Sequence, residues 1–189
     1  MKIAVYGASS PLIDDKYIIA TEALGCELAR RGHELVFGAG GVGVMGAIAR
    51  GFRRGGGKII GVLPKFFKEE GIEDLDESCD ELILTDDMAQ RKELFLAMSD
   101  AIISAPGGIG TYDEFFETLT LKQLGKHDKP LVLFSPEGFY DAFQQMMRHA
   151  EQEKFIRFGL EELYLTSDDP IEIADYLDGY ASAPRQRKF

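Results

Sequence analysis

The chain has 189 residues, 45% of them hydrophobic, and its 32 acidic against 21 basic residues give a net charge of -11. This length and composition predict one globular domain with a sizeable core. The acidic surplus argues against a general binder of nucleic acids or membrane surfaces, because such proteins need a broad basic face. An anionic ligand must therefore be bound locally.

The cysteines and the first residues bear on the compartment. Cys26 and Cys79 lie in unlike contexts without a CxxC spacing, which predicts reduced thiols rather than a disulfide framework or a zinc site. The stretch from Met1 to Gly7 begins a strand at once and resembles neither a signal nor a transit peptide. No apolar run approaches membrane-spanning length. We therefore expect a cytoplasmic protein.

Predicted strands and helices alternate along the chain. Strands are predicted at residues 3–6, 35–37, 58–63, 82–84, 101–105, 130–134 and 163–165. Helices are predicted at residues 17–31, from Thr85 or Asp86 to about 99, at 115–124, at about 139–153, and from Asp169-Pro170 through 177. This alternation predicts an α/β fold, a Rossmann-like doubly wound parallel sheet in one domain over residues 1–180.

Two segments fall outside this pattern. Residues 66–79 are acidic and weakly patterned, which is compatible with a short helix or with a lid over a site. Residues 181–189 contain Arg185, Arg187 and Lys188 and are predicted to form a flexible basic tail.

A glycine-rich turn joins the predicted strand at 101–105 to the helix that follows. Its sequence is Pro106-Gly107-Gly108-Ile109-Gly110-Thr111. Glycines let the backbone approach a ligand closely, and the free N–H groups of a helix's first turn carry partial positive charge. The turn is therefore a predicted phosphate site.

Acidic residues follow the turn. Asp113 and Glu114 are expected in the first helical turn, where the helix dipole alone can favour carboxylates. Glu114 and Glu117 share a helix face, so one of these carboxylates can lie beside the sugar of a bound nucleotide. Both interpretations stay open at this point.

A second glycine-rich loop, residues 38–46, contains a formal GxGxxG at Gly41, Gly43 and Gly46. It follows the second strand, and the next strand ends in Pro64-Lys65 where an acid would be expected for a dinucleotide ribose. NAD binding is therefore disfavoured. Tight packing of the next helix on the sheet and a second ligand-facing loop both remain open.

Arg91 and Lys92 are adjacent cations in the helix that leads into the strand before the glycine turn. Such a pair usually lies on a solvated face. Here a cation can also reach the crevice, and arginine suits bidentate binding of phosphate.

Several ordered motifs resemble the LONELY GUY (LOG) family of cytokinin riboside 5′-monophosphate phosphoribohydrolases, whose members are often mislabelled lysine decarboxylases. The PGGxGTxxE pattern matches residues 106–114, and the preceding arginine-lysine pair matches Arg91-Lys92. Residues 40–46 resemble the family's GGGxxGLMG loop, and residues 123–130 its QLGxHxKP segment. The MHxRK pattern of the family is MAQRK here, with Ala89 in place of histidine. Tyr112-Asp113 and Val44 also depart from the family's residues, which leaves base specificity open.

The resemblance implies hydrolysis of the N-glycosidic bond of a nucleoside 5′-monophosphate, without a metal or a cofactor. It implies Arg91 and Glu114 as the catalytic pair. It further implies a homodimer with the site near the subunit interface. The ligand-contacting positions, from the resemblance and the glycine turn together, are Lys92, Gly107, Gly108, Ile109, Gly110, Thr111, Asp113 and Thr120.

Two other functions are compatible with parts of this pattern. A carrier of a nucleotide or of the molybdenum cofactor would use the same phosphate cradle without turnover. A pyridoxal-phosphate lysine decarboxylase requires a Schiff-base lysine, and no lysine of the sequence stands in a recognisable setting for one.

Overall fold

The structure, a computed structural model, describes residues 1–72, 74–76, 78–156 and 159–180. The predicted tail at 181–189 lies outside the described residues. The strands are β1 (Lys2–Tyr6), β2 (Glu34–Phe37), β3 (Ile59–Pro64), β4 (Glu81–Thr85), β5 (Ala101–Ser104), β6 (Leu131–Phe134) and β7 (Leu165–Ser167). The helices are α1 (Asp15–Arg30), α2 (Gly43–Gly55), α3 (Lys65–Glu70), α4 (Met88–Met98), α5 (Ile109–Gln123), α6 (Asp141–Gln152), α7 (Leu160–Leu163) and α8 (Pro170–Asp178).

All seven strands form one parallel sheet in the order β4-β3-β2-β1-β5-β6-β7. The predicted α/β class and doubly wound sheet are thereby confirmed. The strand order reverses between β1 and β5, which pair with Ile3 opposite Ala101 and Tyr6 opposite Ser104. Ligands of such sheets bind beyond the carboxyl ends of the strands at this reversal.

Side chains alternate between two hydrophobic layers, one on each face of the sheet. In β1, Ile3 and Val5 pack in the layer under α1, α2 and α8, whereas Ala4 and Tyr6 pack under α4, α5 and α6. Because strands buried on both faces need continuous apolar sequence, the predicted apolar runs coincide with the central strands. Within the described residues, the helices are too short or too polar to cross a bilayer.

Three element boundaries differ from the prediction. Helix α5 begins at Ile109 rather than at Phe115, because Gly108 provides the N-cap conformation. Asp113 and Glu114 consequently lie beyond the first turn, and the helix-dipole explanation for their presence is wrong. Helix α4 is capped by the carboxylate of Asp87, which accepts from the amide of Gln90, and not by Thr85 or Asp86.

The last strand also lies further along the chain than predicted. Residues Leu160–Leu163 form the short helix α7, and pairing with β6 begins only at Leu165. In the weakly patterned segment at 66–79, the short-helix alternative is confirmed in its first part, where α3 ends at Gly71 with a positive φ of 63°.

The loop after α5 is held by a partly buried histidine. The Nε2 atom of His127 lies 2.9 Å from the carbonyl oxygen of Thr118, and its Nδ1 accepts from the amide of Lys129 at 3.2 Å. A neutral ring with its proton on Nε2 satisfies both contacts. Burial lowers the pKa of His127 from 6.5, and the charges of Lys122 and Lys129 act in the same direction.

We expect the free energy of unfolding to decrease as the pH falls from 6.5 through the lower pKa of folded His127, because the unfolded chain takes up the proton more readily. The stabilisation is fully present above pH 6.5. Urea denaturation at pH 7 and pH 5 measures the decrease, which should be smaller in His127→Gln. The pKa of His33 is also lowered by burial, so the variant removes part of the decrease. Equal decreases in the two proteins would contradict the assignment.

Candidate active site at the reversal of strand order

The glycine turn opens onto the crevice between the ends of β1 and β5. Helix α5 starts there, so the amides of Ile109, Gly110 and Thr111 have no acceptor within the helix. A Cβ atom built on Gly108 or Gly110 would meet no atom within 4 Å. The turn therefore presents backbone donors to open space, which suits a phosphate group.

Gly107 has a different role from the two glycines after it. A Cβ atom at Gly107 would lie 2.1 Å from Oγ1 of Thr111 and 2.6 Å from its Cβ. Thr111 is 4% exposed. The missing side chain of Gly107 therefore lets the turn fold back onto the first turn of α5.

Arg91 is buried to 7% exposure on α4 and points into the crevice. Its Nε donates to the carbonyl oxygen of Val62 at 3.3 Å, at the end of β3. Its guanidinium carbon lies 5.7 Å from the ring centre of Phe67 and 5.3 Å from that of Phe95. A Cβ atom on Gly38 would come within 2.2 Å of the Nη2 atom, so the guanidinium occupies the space that this glycine leaves.

Glu114 faces Arg91 across the crevice. Its Oε1 lies 3.8 Å from Nη1 of Arg91, and both side chains are about nine-tenths buried. This separation allows strong electrostatic attraction but exceeds hydrogen-bond distance. The two groups therefore attract one another without a direct hydrogen bond at this distance, and both face the cavity.

The structure distinguishes Glu114 from Glu117, which their spacing along the helix alone could not. Glu117 forms an ion pair with Lys92, with 2.5 Å between its Oε2 and the Nζ of Lys92. The same Nζ lies 3.1 Å from Oδ2 of Asp113. These pairs fasten α4 to α5 beside the crevice. The positive charge of Lys92 is thus balanced by the carboxylates of Asp113 and Glu117.

Tyr6 is a site residue that sequence reasoning missed. It ends β1, is 4% exposed, and packs edge-on against Phe95 with ring centres 5.5 Å apart. Burial raises the pKa of Tyr6 strongly, and the nearby charge of Glu114 adds to the increase, so the phenol stays protonated. Its position at the carboxyl end of the central strand was the available signal.

These residues enclose a cavity of about 280 Å³. Of the predicted site residues, its lining includes Arg91, Gly108, Gly110, Thr111, Asp113 and Glu114. The remaining predicted residues lie elsewhere among the described residues. Gly107 borders a neighbouring apolar pocket, Lys92 lies in the groove between α4 and α5, Ile109 is 87% exposed, and Thr120 is exposed on α5.

The second glycine loop packs against the loop after β1, and two of its residues, Gly38 and Met45, also line the cavity. The amides of Val44 and Met45, at the start of α2, both donate to the carbonyl oxygen of Ala8, at 2.9 and 3.2 Å. Gly43 has a φ of 61°, and a Cβ atom there would lie 2.6 Å from the amide nitrogen of Ser10. The donors that would bind a dinucleotide phosphate are thus used by the loop after β1. The cavity, at about 280 Å³, is also slightly smaller than the usual range of ligand pockets, roughly 300 to 1,000 Å³, which suits a mononucleotide better than NAD.

The open space at Gly110 and the crowding at Gly107 predict opposite effects of one added methyl group. Gly110→Ala should leave the free energy of unfolding unchanged or raise it by up to about 1 kcal/mol, because alanine is the better helix former. Gly107→Ala should lower it by about 1–3 kcal/mol through contact with Thr111. Urea denaturation of the two variants measures the difference. Equal stabilities would show that the turn does not pack as described.

Comparisons with known proteins show the family of the chain. A family model described as "Possible lysine decarboxylase" matches residues 45–177. The cytokinin riboside 5′-monophosphate phosphoribohydrolase of Mycobacterium tuberculosis is 44% identical over 75% of this chain and 74% of its own length. The Arabidopsis thaliana enzyme of the same name, LOG1, is 36% identical over 99% of this chain and 86% of its own length.

Among solved structures, the molybdenum cofactor carrier protein MCP of Chlamydomonas reinhardtii superposes with a TM-score of 0.68 at 22% identity, covering 94% of this chain and 95% of that chain. At this identity the likeness concerns the fold. The two relatives found by sequence have higher identity, 44% and 36%, than this structural neighbour. The family model spans the arginine-lysine pair, the glycine turn and the segment after α5. The chain therefore belongs to the LONELY GUY family, that of the cytokinin riboside 5′-monophosphate phosphoribohydrolases.

Proposed function

We propose that this protein hydrolyses the N-glycosidic bond of an adenine nucleoside 5′-monophosphate, giving the free base and ribose 5-phosphate. The observation that carries the proposal is the position of Arg91 and Glu114. Both line a mononucleotide-sized cavity that opens at the N-terminus of α5. The names of the two relatives describe this reaction on cytokinin riboside 5′-monophosphates.

The 5′-phosphate is bound by the turn after β5. The amides of Ile109, Gly110 and Thr111 supply donors, and the N-terminus of α5 supplies a favourable dipole. Arg91, beside Glu114, adds a full positive charge to the cavity, and its burial strengthens the attraction of the crevice for the anionic substrate as a whole. Fixing the phosphate holds the sugar in one orientation relative to Glu114.

Glu114 acts on the bond that breaks. As the C1′–N bond lengthens, its electron pair leaves with the base, which takes up a proton, and positive charge develops on the ribose. A carboxylate in the cavity stabilises this charge and can orient the water whose oxygen bonds to C1′. Tyr6 packs beside Glu114 and limits the positions that the carboxylate can take.

The chain's own contacts do not favour the lysine decarboxylase description. A Schiff-base lysine must face its cofactor. The described residues that line the cavity include no lysine. Lys122 is 1% exposed, but its ammonium donates to the carbonyl oxygen of Lys129 at 2.8 Å and lies over the ring of Tyr180.

We also propose a cytoplasmic homodimer. Ile109, Phe116 and Leu124 are exposed to 87%, 38% and 41% and follow one another at helical spacing along α5. Thr120 is exposed on the same helix, so a second subunit at this stripe would bring its surface close to the mouth of the cavity. The free thiols of Cys26 and Cys79 support a reducing compartment.

Replacing Glu114 tests the proposed reaction. Glu114→Gln keeps the shape of the side chain and removes its charge, so kcat should fall by at least about 100-fold. The measurement is chromatographic detection of free base and ribose 5-phosphate from AMP and from N6-isopentenyladenosine monophosphate. The ratio of the two rates shows which base is preferred.

Glu117→Gln is the matched control, three residues further along α5 and outside the cavity lining. It should retain activity within about threefold, because it loses only an exposed ion pair of up to about 1 kcal/mol. No base release by the native protein, with tight AMP binding, would indicate a nucleotide carrier. Equal activity in both variants would remove Glu114 from the mechanism.

The proposed dimer is tested by light scattering after size-exclusion chromatography. We expect a mass of about twice the 21.0 kDa of one chain, because burying the α5 stripe removes apolar surface from water. A mass equal to one chain at micromolar concentration would contradict the dimer.

A further inference from the structure

The cavity has two chemically different ends. Helix α5 and the turn before it line one end with backbone donors, a hydroxyl and carboxylates, contributed by Gly108, Gly110, Thr111, Asp113 and Glu114. Helices α2, α3 and α4 line the other end with apolar and aromatic side chains, contributed by Met45, Phe67, Met88 and Phe95.

Arg91 lies at the boundary between these ends. Its guanidinium pairs with Glu114 on the polar side and packs on the rings of Phe67 and Phe95 on the apolar side. A nucleotide has the same order of chemistry, from phosphate through sugar to base. If the phosphate binds at the turn and the glycosidic bond lies at Arg91 and Glu114, the base extends into the apolar end.

Phe67 is the aromatic residue of that end with exposed surface. Phe95 is 0% exposed, because Tyr6 and Arg91 pack against it. Phe67 is half-buried on α3 and retains surface that faces the cavity. Base–aromatic stacking is favourable for any base and increases with ring area, which favours a purine.

We infer that Phe67 binds the purine base of the substrate and thereby contributes to substrate specificity, an inference that rests on the proposed function. Phe67 does not act on the reacting bond. It supplies an apolar surface next to Arg91, so that the base is held while the phosphate is fixed at the other end of the cavity.

Phe66 provides a control for the packing of α3, because its ring is stacked on that of Phe67 but is not part of the cavity lining. It lies next to Phe67 on α3, with ring centres 5.0 Å apart, and is equally half-buried. It does not line the cavity in the described structure. A change that acts only through the stability of α3 should therefore have the same effect at either position.

The test compares the binding of AMP with that of ribose 5-phosphate, which lacks the base. Both are titrated by calorimetry into Glu114→Gln protein, so that AMP stays intact, and into the same protein carrying Phe67→Leu, Phe66→Leu or Phe67→Tyr. We expect Phe67→Leu to weaken AMP binding about tenfold and to leave ribose 5-phosphate binding within about twofold. Phe66→Leu and Phe67→Tyr should retain AMP binding.

The inference would be overturned if Phe67→Leu weakened the binding of AMP and of ribose 5-phosphate equally, or left AMP binding unchanged. Equal losses of AMP affinity in Phe67→Leu and Phe66→Leu would also overturn it. So would a parent protein that binds no AMP. Failure of the proposed reaction gives a different result. If the native protein releases no base but AMP binding still depends on Phe67, the hydrolase assignment fails and the base-binding role stands.

Discussion

The burial of Arg91 is the constraint on which the site depends. A guanidinium removed from water loses solvation worth several kcal/mol unless other groups replace it. Here the replacement comes from separate parts of the fold: the Val62 carbonyl at the end of β3, the aromatic rings on α3 and α4, and Glu114 on α5. Gly38 on the loop after β2 leaves the space. The crevice is therefore built around one cation in a chain with a net charge of -11.

The fold was largely predictable because its strands are buried on both faces, and such strands need uninterrupted apolar sequence. Boundaries were less predictable where they depend on backbone conformation. Helix α5 starts after Gly108, which has no side chain to cap the helix. The sequence therefore contained no capping residue from which Ile109 could be predicted as the first residue of the helix. At α4, three residues in a row can cap a helix, and only the geometry of the β4 end selects Asp87.

The site was predictable where it is local in sequence and less so where it is assembled by the sheet. The glycine turn and Glu114 belong to one short segment, and their chemistry could be inferred together. Tyr6 ends β1, Gly38 follows β2 and Phe67 lies on the helix after β3, so these residues are adjacent only because of the strand order and no spacing in the sequence connects them. Thr120, implied by the resemblance, lies outside the cavity of the single chain.

The backbone amides that are proposed to bind the phosphate lie on one helix, α5, together with the carboxylate of Glu114. From Gly110 to Glu114 the axis of α5 advances by about 6 Å, and intact helical hydrogen bonds keep that advance constant. In the proposed reaction this constant advance sets the distance between the bound phosphate and the Glu114 carboxylate near C1′. A nucleoside without a phosphate would lack the group that the turn is proposed to bind, and a 3′-phosphate would present a different part of the sugar to Glu114. The proposed reaction therefore implies that the rigidity of α5 selects the 5′-monophosphate.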